Sequence, residues 1–302
     1  MSPMFANLRL PAIQAPMFLQ SGPDMVIASC KSGVIGTFPS LNTRTVEQLD
    51  EWLSTITEAV DSATDAPWGI NLMMHRTNLR RDADMALAVK YRAPLVISAL
   101  GSPRDAIDAI HSYGGKVFAD VVTTVHARKA IDAGVDGLVL VAAGAGGHTG
   151  QLSGFAFVEE VRTFWDGPIV LGGGISSGRA IRAAEVLGAT YAYLGTRFIA
   201  TDESMAVQEY KQMVVDASGS DIICSDALTG VKANWLRGSL IKAGFDPDHM
   251  PSAGKIDITQ SSGDAKRWRD VWAAGQGVGA IDDVLPIATL VDRLVGEYNA
   301  AK

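Results

Sequence analysis

Short apolar runs alternate along the chain with longer segments whose apolar residues recur at helical spacing. The runs are Ala12–Ala15, Val34–Phe38, Trp68–Leu72, Leu95–Ala99, Lys116–Val121, Gly137–Val141, Ile169–Gly172 and Ala192–Gly195. They are continuous rather than alternating, as expected of parallel strands covered on both faces. Between the second and third runs, Val46, Leu49, Trp52, Leu53, Ile56 and Val60 share one face of a helix over Thr45–Val60, and Thr45 with Gln48 reads as its capping box. Ser102 before Pro103 reads as a helix start. Thr124 caps a helix that Gly134 ends, and Ser176 or Ser177 opens another that Gly188 ends.

Successive runs start roughly 20 to 35 residues apart, the size of one βα unit. Eight units in series with no linker predict an α/β fold, a (β/α)8 TIM barrel, rather than a doubly wound sheet. The first run leads into Ala15-Pro16-Met17, not into the GxGxxG of a dinucleotide fold. The length of 302 residues alone fits one domain or two. The eight-unit count makes residues 1–302 a single barrel domain, with 200–302 forming a helical appendage or lid over its mouth. In that appendage Ser204–Ala217, Asn234–Ala243 and Leu285–Tyr298 read as helices, and 251–265 as an exposed polar connection. The alternative is that the last helix belongs to the barrel and is split from it by an insertion. The apolar faces of these helices suit the barrel equally well as a second copy, which would make a homodimer.

Composition narrows the function classes. Acidic residues number 33 against 26 basic, a net charge of −7, and no Lys/Arg-rich run occurs, which disfavours nucleic acid as a partner. No apolar stretch approaches the roughly 20 residues of a membrane span, and the N-terminus does not read as a signal peptide. Cys30 and Cys224 form no CxxC pair, so the expectation is small core residues in a reduced, cytoplasmic compartment, with no zinc and no disulfide. The 31 glycines point to tight turns or backbone-lined ligand loops.

In such barrels the working residues sit at the C-terminal ends of the strands. The seventh end, Gly172-Gly173-Gly174-Ile175, and the eighth, Gly195-Thr196-Arg197-Phe198, match the place where barrels bind phosphate, with the following helix start offering N–H groups to an anion. The sixth end, Ala142 to Gly150, carries His148 among glycines. Imidazole titrates near neutrality, which suits proton abstraction, donation or oxyanion stabilisation. His75 is a lesser candidate, and His111, His126 and His249 read as surface residues. No histidines or carboxylates have metal-ligand spacing. Asn71 at the third end, Asp120 at the fifth and Ala15-Pro16-Met17 at the first complete the candidate wall, and Ala274-Gly275-Gln276 folds back over it.

The order of Ala15-Pro16-Met17, Gly69-Ile70-Asn71-Leu72, Gly146-Gly147-His148-Thr149-Gly150, Gly172-Gly173-Gly174-Ile175, Gly195-Thr196-Arg197-Phe198 and Ala274-Gly275-Gln276 resembles the nitronate monooxygenase family, formerly 2-nitropropane dioxygenases. These are FMN-dependent (β/α)8 barrels, among which are flavin-dependent enoyl reductases and NADH:quinone reductases. The resemblance implies that FMN contacts Ala15, Pro16, Met17, Asn71, Asp120, Ala142, Gly146, Gly147, Gly172 and Gln276. It implies a phosphate between Gly173, Gly174, Gly195 and Thr196, and His148 as the catalytic residue over the ring. Relatives often carry glutamate where this chain has Gly144, which leaves substrate specificity open.

Two flavin chemistries follow from the resemblance. A nitronate is oxidised with O2 to a carbonyl compound and nitrite, or NAD(P)H as reductant loads FMN for reduction of a quinone or enoyl thioester. A flavin-free phosphosugar isomerase or aldolase would use the same phosphate loops. A Schiff-base aldolase needs a lysine in the mouth, however, and Lys116 lies at the wrong end of its strand. A binding protein without turnover is the remaining alternative.

Overall fold

The computed structural model describes residues 4–252 and 270–301. The eight apolar runs become β1 (Ala12–Gln14), β2 (Ile35–Pro39), β3 (Trp68–Met73), β4 (Leu95–Ala99), β5 (Lys116–Val121), β6 (Gly137–Val141), β8 (Ile169–Gly172) and β9 (Tyr191–Leu194). All pair in parallel, and β9 returns to β1 to close the barrel. Along each strand alternate side chains enter the barrel: Ile13, Ile35, Leu95, Ile97, Phe118, Val139, Val170 and Tyr191 fill it. Phe5 joins this cluster, its ring 6.1 Å from that of Phe118 and 5.9 Å from that of Tyr191. The outward faces pack on the helical shell, where Leu49, Leu53 and Ile56 bury the predicted stripe of α2 (Val46–Ala59).

Helix punctuation follows side-chain chemistry closely, with shifts of one residue. Thr45 accepts from the Gln48 N–H at 3.1 Å, but the Gln48 side chain accepts from Arg44 rather than from Thr45. Thr123, not Thr124, caps α5 (Thr124–Ala133) by accepting from the His126 N–H. Pro103 is itself the N-cap of α4 (Arg104–His111), while Ser102 accepts from the Arg104 N–H. Gly134 and Gly188 end their helices at φ 97° and 112°, where a Cβ would be strained.

The segment after β9 is not the purely helical appendage expected. The helix expected over Ser204–Ala217 shortens to Gln208–Asp216, and that over Asn234–Ala243 to Arg237–Lys242. Ala233–Leu236 is instead a buried strand, β11, between β10 (Ile222–Ser225) and the two-residue β7 (Gly147–His148). Antiparallel pairing on both sides overrides the local helical pattern there. The last helix (Ile287–Ala300) buries Ile287, Leu290, Val291 and Leu294 with Met25 of the first helix and Ile181 of α7 (Gly178–Leu187). It thus packs in the outer ring beside those two helices. Most of the connection expected at 251–265 lies outside the described residues. No helix among the described residues is long and apolar enough to cross a membrane.

Candidate active site

A cavity of about 870 Å³ opens over the C-terminal ends of the strands. Its wall includes Ala15, Pro16, Met17, Asn71, Asp120, Gly146, Gly147, His148, Gly172, Gly173, Gly174, Gly195 and Thr196, so most of the expected set meets in one place. Ala142 and Gln276 do not reach it. Ala142 is buried beneath the sixth loop, its carbonyl accepting from the Thr149 hydroxyl, and Gln276 contributes a backbone N–H to the Gly144 carbonyl at 2.9 Å. Gly275 and Gly277, its neighbours, line the cavity instead.

The first loop is fixed by polar groups that the sequence alone did not mark. The buried Gln14 bonds to the Ala15 carbonyl and the Ser21 hydroxyl, Ser21 accepts from the Met17 N–H, and Asn42 donates to the Met17 and Ser21 carbonyls. Met17 is thereby held beside Gly195, an ordinary van der Waals distance from its α-carbon side.

His148 stands on β7, where its backbone register pairs it with Ala233. Asn234 donates to the carbonyls of Ala143 at 2.9 Å and Ala145 at 2.7 Å, tying down the loop that leads to the histidine. The side chain lines the cavity and is exposed there, and desolvation by the surrounding walls lowers its pKa, favouring neutral imidazole.

The glycines interlock three loops. A Cβ on Gly146 would lie 2.8 Å from the Gly275 nitrogen, one on Gly173 3.0 Å from the Ala145 nitrogen, and one on Gly277 2.5 Å from the Ser176 hydroxyl. Part of the glycine excess therefore serves backbone-on-backbone packing. The start of α7 is not open to an anion as expected. Its Gly178 N–H donates to the Glu297 carboxylate at 2.7 Å and its Ala180 N–H to Ser177. The N–H groups of Gly174, Ile175 and Ser176 have no hydrogen-bond partner among the described residues, and Gly174 has open space around its Cβ position. Thr196 uses its hydroxyl to accept from the Gly275 N–H at 2.8 Å.

The cavity floor is polar. Asn71 donates to Asp120 at 3.3 Å, and the second Asp120 oxygen and the Tyr193 hydroxyl are buried with no hydrogen-bond partner among the described residues. Burial pushes the Asp120 carboxyl up to about 7 and raises the Tyr193 phenol well above its usual range. Tyr193 was missed in sequence, although the period of two that points Tyr191 inward also points Tyr193 inward. His126 is exposed as expected, yet it also rims the cavity with Lys129. His75 lies off the cavity, hydrogen-bonded to Thr77, while His111 and His249 pair with Asp136 and Asp246. The described residues hold no group of three or more metal-ligating side chains.

This inventory suits FMN. Unpartnered loop N–H groups meet a phosphate, and a broad floor with unpartnered polar atoms meets a heteroaromatic ring. Barrel and mouth together define a (β/α)8 barrel with a cavity shaped for a phosphate-bearing ring. The family model for nitronate monooxygenase matches residues 79–297, and the chain belongs to that family, whose members are in general FMN-dependent. A Mycobacterium tuberculosis protein named as a monooxygenase is 33% identical over 71% of this chain and 61% of its own length. A Rhodococcus jostii hydroxy-methyl-oxo-octahydro-indene-carboxyl-CoA dehydrogenase is 27% identical over 77% of this chain and 64% of its own. The chain thus spans under two thirds of both proteins. A Pseudomonas aeruginosa nitronate monooxygenase is 26% identical over 97% of each chain. The structure of FabK from Thermotoga maritima superimposes with a TM-score of 0.80 at 25% identity, covering 97% of this chain and 94% of that one.

Proposed function

We propose that this chain binds FMN in the cavity and oxidises alkyl nitronates with O2 to a carbonyl compound and nitrite. The observation that carries the reading is the placement of His148 over the same cavity that the Gly173–Ser176 loop and Thr196 border. Gly174, Ile175 and Ser176 would hold the phosphate through their N–H groups, and Ala15, Pro16, Met17 and Asn71 would bound the ring. Bound FMN supplies the electron transfer.

The remaining work falls to the chain. Neutral His148 accepts the α-proton of a nitroalkane, leaving the nitronate, or donates its N–H to a nitronate oxygen. Lys129 at the rim favours entry of an anion. The Met17 loop and the Gly275–Gly277 segment line the site. We place the enzyme in the cytoplasm, with a small molecule as substrate.

A second reading has NAD(P)H as the reductant and a quinone or enoyl thioester as acceptor. The specific support is Gly144, which lacks the glutamate of many relatives, together with the CoA dehydrogenase name of one relative. Anaerobic mixing separates the two. Bleaching of the bound flavin by a nitronate but not by NAD(P)H supports the first, and the reverse result sinks it. A purified protein that binds no FMN defeats both.

A further inference from the structure

The cavity floor has a chemistry that the nitronate reaction does not use. Asp120 on β5 and Tyr193 on β9 both reach the cavity, and the Asp120 charge is close enough to raise the Tyr193 phenol. One Asp120 oxygen accepts from Asn71, while the other oxygen and the Tyr193 hydroxyl have no partner among the described residues. Their neighbours offer no cation. β4 and β6 present Ala99 and Val141, β7 presents His148 from above, and Lys129 and His126 stand at the rim on α5.

A flat ring laid across this floor seals Asp120 from water, with Asn71 as its one donor among the described residues. A carboxylate left there with one amide donor is unfavourable, whereas the neutral acid is not. The neutral acid also gains a donor, and the oxidised flavin ring offers carbonyl oxygens and unprotonated nitrogens as acceptors. We propose that FMN binds with uptake of one proton by Asp120, whose carboxyl O–H and the Tyr193 O–H are the hydrogen-bond donors of the floor to the ring. This rests on the FMN reading above. A neutral acid beneath the ring also avoids repulsion when reduction places negative charge there.

The carboxyl is already pushed up to about 7 by burial, before a ring covers it. Binding that raises it further gives affinity that is complete below that pH. It is lost as pH rises, about tenfold per pH unit until the pKa of the complex is reached.

The test is fluorescence titration of the deflavinated protein with FMN from pH 6 to pH 9. The wild type is expected to lose affinity by about tenfold per unit above pH 7. Asp120→Asn, which keeps the shape and has no proton to lose, is expected to bind with a Kd that is flat above pH 7. Tyr193→Phe is expected to weaken binding several-fold at every pH while keeping the slope. The other cavity titrations, His148 included, are common to the wild type and Asp120→Asn, so their difference isolates Asp120. A flat wild-type profile, a profile that tightens with pH, or an Asp120→Asn profile with the wild-type slope overturns the proposal while leaving the FMN reading intact. Absence of FMN binding by the wild type overturns both.

Discussion

His148 and Ala233 face each other across an antiparallel ladder, so the candidate catalytic residue is positioned by a strand far along the chain rather than by its own loop. The next residue, Asn234, holds that loop through the Ala143 and Ala145 carbonyls. Asn234→Ala leaves both carbonyls short of a partner and is expected to cost about 1–3 kcal/mol. Thermal unfolding measures that loss, and turnover should fall with FMN content unchanged. An unchanged melting temperature would refute the anchoring role.

His148→Ala removes the proton acceptor and leaves the glycine loops intact. Turnover of a neutral nitroalkane should fall about 10²–10⁴-fold. FMN should be retained, as judged by the visible spectrum. Turnover at the wild-type rate would remove His148 from the mechanism.

The pH dependence follows from the sign of the His148 shift. Burial lowers its pKa, so the neutral, proton-accepting form persists below the usual histidine range. The fall in activity on nitroalkanes as acid protonates the ring should therefore lie at lower pH than an ordinary histidine would set. A kcat/KM profile whose acid limb lies above the ordinary histidine pKa of about 6.5 would contradict this.

Gly173 has φ +127°, and a Cβ there would lie 3.0 Å from the Ala145 nitrogen. Gly173→Asp adds strain, bulk and negative charge to the proposed phosphate loop. FMN affinity, read by equilibrium dialysis, should drop by at least about tenfold, equivalent to 1.4 kcal/mol. Undiminished affinity would show that the phosphate lies elsewhere.

Gly144→Glu adds the carboxylate that the resemblance leads one to expect, but its Cβ would lie 3.1 Å from the Gly174 nitrogen and 3.2 Å from the Gly173 carbonyl carbon. The neighbouring loop must yield, so weaker FMN retention is expected, measured as flavin released on gel filtration. Retention equal to that of the wild type would mean that the loop accommodates the side chain without cost.

The barrel was legible because the strands are short, largely apolar runs, and several of the helices between them carry their own cap or stop. Thr45, Ser177, Gly134 and Gly188 act within a turn of their own position, so local chemistry suffices to place them. His148, Asn71, Asp120 and the glycine loops were legible because the C-terminal ends of barrel strands must converge. Gln14, Ser21 and Asn42 were not, since nothing local shows which loop a buried amide will tie.

The sequence by itself determined the eightfold strand–helix order and most, though not all, of the residues that line the cavity at the barrel mouth. The tertiary structure decided what lay beyond local reach. Ala233–Leu236 became a strand because β7 and β10 were there to pair with it. The start of α7 was taken by Glu297 from the other end of the chain. Asp120 and Tyr193, far apart in sequence, came to share one polar floor. Long-range pairing and burial depend on which surfaces meet, and that is settled only when the barrel closes.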